Sequence, residues 1–214
     1  MFFCAKQLNY ESCYPNRKTY PLPKKNVLVL SCIDLRLKDD LVNFLNTHNL
    51  QNRYDHFILA GASLLCTEKH PVFKLGLDQK YKHWNECFEH HLEIAIQLHN
   101  IKDVYIVEHQ DCGAYNHFLE KPDKDEKNDH KKFAEELAKR IHKVPREEKT
   151  VIKNDKGEDV IKKEKYQLNV HCFFIDLQGE VEQLSPPLIY KPKKGDDTVK
   201  YYNLGKEISV KRTS

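Results

Sequence analysis

The 214-residue chain has no apolar run near the ~18 consecutive residues that a membrane helix requires, so no spanning segment is expected. No secretory signal is expected either, because the opening Met1-Phe2-Phe3-Cys4-Ala5-Lys6 is too short in its apolar part. These two absences point to a cytoplasmic protein. There is no disulfide framework either. The seven cysteines (Cys4, Cys13, Cys32, Cys66, Cys87, Cys112 and Cys172) are odd in number and widely scattered. In a reduced compartment most such residues are small buried hydrophobes and a minority bind metal. Charge of one sign is absent as well. The formal net charge is +3, and the segment from Lys121 to Lys165 mixes 15 Lys/Arg with 12 Asp/Glu. A nucleic-acid footprint would be a one-signed stripe with aromatic platforms, so a solvated face is expected there and no nucleic-acid partner. Neither an internal repeat nor a linker divides the chain. The expectation is one domain over residues 1–214, with an amino-terminal arm at 1–25 carrying Pro15, Pro21 and Pro23, and an irregular polar tail at 186–214.

What is present is a series of continuous apolar runs alternating with helical periodicity. Val27-Leu28-Val29-Leu30, His56 to Ala60, Val104-Tyr105-Ile106-Val107 and Val170 to Leu177 read as strands. The lack of alternation within them suits strands covered on both faces, as in a parallel sheet. Between them, Leu37, Leu41, Phe44, Leu45 and His48 share one helical face, Trp84 to Leu98 forms a long helix, and Phe133, Leu137, Ile141 and Val144 another, closed by Pro145. Val151-Ile152 and Val160-Ile161 flank a weak hairpin signal at Asn154-Asp155-Lys156-Gly157. Strand–helix repetition predicts an α/β fold with a central parallel sheet and helices on both faces.

Two segments carry chemistry: Ser31-Cys32-Ile33-Asp34-Leu35-Arg36 and Glu108-His109-Gln110-Asp111-Cys112-Gly113. Each begins where an apolar strand ends, and in open parallel sheets ligands bind outside the carboxyl ends of the strands. Cys32 and His109 are 77 positions apart, yet both would reach that edge. Two thiols and an imidazole, Cys32, Cys112 and His109, suit borderline-soft zinc. Three protein ligands leave one tetrahedral position free, the mark of a catalytic rather than a structural site. His-x-x-Cys lets one turn supply two ligands, with Gly113 giving the backbone room to bend. Asp34 and Arg36 follow Cys32 at alternate positions, so an extended backbone would point all three side chains the same way. Arg36 can then grip the Asp34 carboxylate bidentately and keep it ionised. Glu108, beside a ligand, should point away from the metal by strand alternation.

Cys-x-Asp-x-Arg followed by His-x-x-Cys-Gly resembles the signature of the beta-class carbonic anhydrases, with the likeness running over about residues 24 to 185. Cys32, Asp34 and Arg36 match the first motif, and His109, Cys112 and Gly113 the second. The resemblance implies a sheet of about four parallel strands plus an edge strand, a homodimer or larger homo-oligomer, Zn2+ as cofactor, and reversible hydration of carbon dioxide to bicarbonate by a zinc-bound hydroxide. Asp34 would accept the hydroxide proton while Arg36 holds Asp34 in place. It also implies that Asp34 can close the site by binding the metal itself. The family's Asn-Ala-Gly-Asn is replaced in this chain by Leu59-Ala60-Gly61-Ala62-Ser63. Two alternatives therefore stay open: a zinc hydrolase or lyase acting on another small electrophile, and a non-catalytic protein using zinc only to fold, with Asp34 or Cys66 as fourth ligand. No role is assigned to Cys66 or His70, and the sequence does not choose a proton relay among His48, His56, His83, His90, His91 and His117.

Overall fold

The computed structural model describes residues 26–67, 80–154 and 156–191, with the backbone of 199–203 and 206–208. The proposed amino-terminal arm, Cys4, Cys13 and His70 lie outside the described residues. A five-stranded sheet forms the centre, in the order β2 (Tyr54–Ile58), β1 (Val27–Ser31), β3 (Asp103–His109), β6 (Asn169–Ile175), β7 (Val181–Leu188). The first four are mutually parallel and β7 closes the edge antiparallel to β6. The fold is α/β, with the four parallel strands that the apolar runs predict and the further edge strand that the resemblance implies.

Side-chain alternation explains why both faces are covered. In β1, Leu28 and Leu30 join Val104, Ile106, Val170, Cys172 and Phe174 on one face. Against them pack α2 (His83–His99), through Phe88, Leu92 and Ala95, and α4 (Glu126–Lys143), through Ala134, Leu137, Ala138 and Ile141. Val27 and Val29 face the other way, with Val107, Phe173 and Ile175, and are covered by Leu41, Phe44 and Leu45 of α1 (Lys38–Thr47). Fully burying a side chain such as Phe88 stabilises by about 1.5–3 kcal/mol over leaving it exposed. The helix ends follow local chemistry. Asp39 and Asp40 lie in the first turn of α1. The Asp125 carboxylate caps α4 by accepting from the Lys127 amide, and Arg140, His142 and Lys143 occupy its last turn, where the helix dipole favours cations.

Three expectations need correction. β2 begins and ends two residues before the predicted His56–Ala60, because the Leu59 amide bonds the Ser31 carbonyl at 2.9 Å and the chain then turns at Gly61, whose φ is +73°. The tail beyond Pro186 is not wholly irregular. Pro186 and Pro187 lie inside β7, an edge strand, where the pairing with β6 shifts register and a missing amide donor is tolerated. Further on, β8 (Val199–Asn203) pairs with β5 (Asp159–Tyr166) and β9 (Lys206–Ile208). The weak hairpin is long: β4 (Arg146–Lys153) and β5 (Asp159–Tyr166) pair along their whole length and, with β8 and β9, make a second, antiparallel sheet of four strands. Lys102, only 5% exposed, ties this hairpin to the central sheet. Its ammonium meets Glu148 at 2.7 Å and sits 3.4 Å above the Tyr166 ring. No helix among the described residues is long and apolar enough to cross a membrane.

Candidate metal centre

β1 and β3 are parallel neighbours in register, Ser31 opposite Val107, so both end at the same edge of the sheet. Cys32 follows β1 directly and His109 is the last residue of β3. Cys112 precedes the short helix α3 (Gly113–Phe118) in extended conformation. Three ligand atoms, one each from Cys32, His109 and Cys112, lie within 4.8 Å of one another, a group able to hold a metal ion. All three residues are buried. The turn between His109 and Cys112 bends at Asp111, whose φ is +54°, and not at Gly113, which opens α3. Aspartate tolerates that conformation, and its amide is held by the Glu126 carboxylate at 2.9 Å.

The residues present fit a zinc ion. Two thiolates bound at about 2.3 Å to a tetrahedral centre sit ~3.8 Å apart, and the Cys32 and Cys112 sulfurs are 3.8 Å apart. The Nδ1–H of His109 donates to the Gln110 carbonyl at 2.9 Å, which leaves Nε2 as the free lone pair. That Nε2 is buried and has no hydrogen-bond partner, an expense that a bound cation would remove. The Gly61 amide points at the Cys32 sulfur from 3.3 Å.

The thiols share a proton in the metal-free protein. Donation by Cys112, with help from His109 and the Gly61 amide and against burial, holds Cys32 down at about 4. The same contact, together with burial, pushes Cys112 well above the usual thiol value. Burial is the largest influence on His109 and works to lower it, but the adjacent Cys32 sulfur, the Gln110 carbonyl and the Glu108 side chain together outweigh it and raise it. At neutral pH Cys32 is thus already a thiolate, whereas Cys112 still carries a proton that a metal must displace. Zinc affinity is therefore expected to rise with pH, with about one proton, that of Cys112, released per ion. Titration calorimetry in buffers of different ionisation enthalpy measures that number, and a proton-neutral reaction would contradict these protonation states.

Asp34 and Arg36 pair as the sequence suggests, by a different route. Arg36 Nε donates to Asp34 Oδ1 at 3.0 Å and one terminal nitrogen to Oδ2 at 2.8 Å. The backbone there is not extended: Asp34 caps a 3₁₀ turn, Leu35–Leu37, and accepts the Arg36 amide as well. These bonds, above all those from the guanidinium, hold the Asp34 carboxyl down at about 2. Arg36 also reaches Asp111, meeting Oδ2 at 2.8 Å and the carbonyl at 2.9 Å, and so staples one motif to the other. Neither Asp34 nor Cys66 belongs to the metal-ligand group. Cys66 is buried in the core between the sheet and α2.

A cleft of about 600 Å³ opens onto the group, lined by Cys32, Asp34 and Arg36 and by the apolar Ile33, Leu35, Ala60, Ala114 and Phe118. Sequence reasoning missed Asp111, which only its place between the two ligands could have marked. It also missed the partners of Glu108, which is fully buried and bonds Ser63, Tyr115 and His130. The charge interrupts the apolar run on the face shared with Val104 and Ile106, which signals that partners must exist without naming them.

The fold and site define an α/β protein with a Cys–His–Cys group at the carboxyl edge of its sheet that could hold a metal. No protein-family model matches the chain. An uncharacterized protein of Rickettsia bellii is 32% identical over 163 residues, 76% of this chain and 84% of its own length. An uncharacterized protein of Rickettsia conorii is 30% identical over 169 residues, 79% of this chain and 77% of its own. The chain belongs to the family of these rickettsial proteins. Among solved structures it is similar to the carbonic anhydrase of Streptococcus mutans, with a TM-score of 0.41 at 13% identity, covering 86% of this chain and 99% of that one. It is also similar to a chain from the work on two tetrameric beta-carbonic anhydrases of Sordaria macrospora, with a TM-score of 0.45 at 12% identity, covering 85% and 89%.

Proposed function

We propose that the protein is a zinc-dependent carbonic anhydrase that interconverts carbon dioxide and bicarbonate. The observation that carries this is the convergence of Cys32, His109 and Cys112 beside an arginine-held aspartate at the mouth of an apolar cleft. The two motifs, which resemble those of the beta class, support it. Cys32, Cys112 and His109 would hold the ion, which when bound supplies the Lewis acidity that brings the ionisation of water toward neutral pH. Asp34, kept ionised by Arg36, accepts a hydrogen bond from the attacking water and so aims its lone pair. Ile33, Ala60, Ala114 and Phe118 offer a linear, apolar molecule a mainly apolar wall, in which His117 is the polar side chain besides Asp34 and Arg36. Zinc content and carbon dioxide hydration measured on one purified sample test the proposal. Zinc-loaded protein without hydration activity rejects it, and a rate flat between about pH 6.5 and 9 rejects the role of water ionisation.

A second reading rests on the cleft itself, which is large for carbon dioxide. The same residues could turn water on another small electrophile, and zinc-loaded protein inert toward carbon dioxide would favour that. The purely structural use of zinc needs a fourth protein ligand, and no such donor joins the group among the described residues. We also propose a homo-oligomer, since Leu35 and Ile33 stand 84% and 60% exposed beside the cleft, where a second copy would cover them. A monomer in sedimentation at working concentration rules that out.

A further inference from the structure

A carboxylate lies fully buried next to the metal centre, and the proposed chemistry makes no use of it. Glu108 is 0% exposed. Its Oε1 accepts the Ser63 amide at 3.0 Å, and its Oε2 accepts the Tyr115 hydroxyl at 3.1 Å and His130 Nδ1 at 2.8 Å. His130 is equally buried, and its ring lies against that of Tyr115, with centroids 3.7 Å apart. A carboxylate in such surroundings persists only if its bonds are satisfied. The three donors come from three separate elements: the 3₁₀ turn Ala62–Cys66, α3 and α4.

Two of those donors, and Glu108 itself, are each tied to a different member of the metal-ligand group. Glu108 is joined by the backbone to His109. Tyr115, whose hydroxyl it holds, donates its amide to the Cys112 carbonyl at 3.1 Å. Ser63 follows a turn whose Gly61 amide bonds the Cys32 sulfur. That turn is strained: after Gly61 at φ +73°, Ala62 also adopts a left-handed conformation, at φ +44°. A residue with a Cβ stays there only where its surroundings over-determine it. The Glu108 bond to the next amide does so, as does the close seat of Gly61, where an added Cβ would lie 3.1 Å from that of Ala114.

We infer that Glu108, through Ser63, Tyr115 and His130, is a positioning residue that sets the mutual geometry of the Cys32, His109 and Cys112 donor atoms. The inference rests on the metal reading of that group. Full-length, metal-free protein titrated with Co2+ and then Zn2+ tests it. A thiolate-to-cobalt charge-transfer band in the parent chain is required by the metal reading, and its absence overturns that reading independently of Glu108. With the band present, Glu108→Gln in folded form should weaken zinc binding by roughly 10–100-fold, the loss typical of residues that support ligands. It should also shift the cobalt band at saturation, which a change in stability alone would not do. Tyr115→Phe, which removes one donor and keeps the ring, should move both readouts the same way by less. Folded variants that match the parent in zinc affinity and band position overturn the inference. If Glu108→Gln does not fold, Tyr115→Phe decides alone.

Discussion

Cys112→Ser should leave the purified protein without stoichiometric zinc and without carbon dioxide hydration above the rate of buffer. A serine hydroxyl is not ionised at neutral pH and is a poor partner for zinc beside a thiolate. It would also sit buried, since Cys112 is 1% exposed, and would face Cys32 across the 3.8 Å gap between the sulfurs. Zinc affinity should fall by more than about 100-fold, beyond the loss expected for a residue that only supports a ligand. The fold should survive, because Cys112 lies at the sheet edge and the strands pair without it. Metal analysis after dialysis against a weak chelator, alongside circular dichroism, is the measurement. A folded variant that retains zinc at the parent level would remove Cys112 from the site.

Asp34→Ala should cut the hydration rate by about 100-fold or more with zinc content unchanged, in line with the loss of one positioned acid–base or electrostatic group. The carboxyl lies outside the metal-ligand group, so removing it should not release the ion. Nor should it free the second motif, because Arg36 keeps both of its bonds to Asp111. Asp34 does cap the turn at Leu35–Leu37, and losing a cap costs about 0.5–2 kcal/mol. Asp34→Asn separates the two effects, since its side-chain oxygen can still cap the turn but carries no charge. Both variants should be slow and zinc-loaded, with only the alanine variant less stable. Because the guanidinium holds Asp34 down at about 2, the parent carboxylate stays ionised throughout the assay range. Any rise of rate with pH then belongs to another group. An Asp34→Asn variant with the parent's rate would leave Asp34 without a chemical role.

The legible part of the site was the part written locally. Cys32 and His109 could be assigned to one sheet edge because each ends an apolar run, and runs without alternation imply parallel strands buried on both faces. The pairing of Asp34 with Arg36 was legible from proximity alone, although a capped turn and not an extended strand produces it. The illegible part is built from contacts distant in sequence. Arg36 meets Asp111 across 75 positions, Glu108 meets Ser63 across 45 and His130 across 22. Nothing in the spacing of these residues announces such bonds. The edge strand was hidden in a similar way, since Pro186 and Pro187 argue against a strand unless it is known to have a free side.

By itself, then, the sequence determined the strand and helix alternation, the parallel sheet and the residue types able to bind a metal, because periodicity and hydrophobicity act within a few positions of the chain. Only the tertiary structure decided which donors face one another, which carboxylate is locked by arginine and which lies buried. Those choices depend on helices and turns brought together by packing, and each buried polar group takes whatever partner that packing delivers.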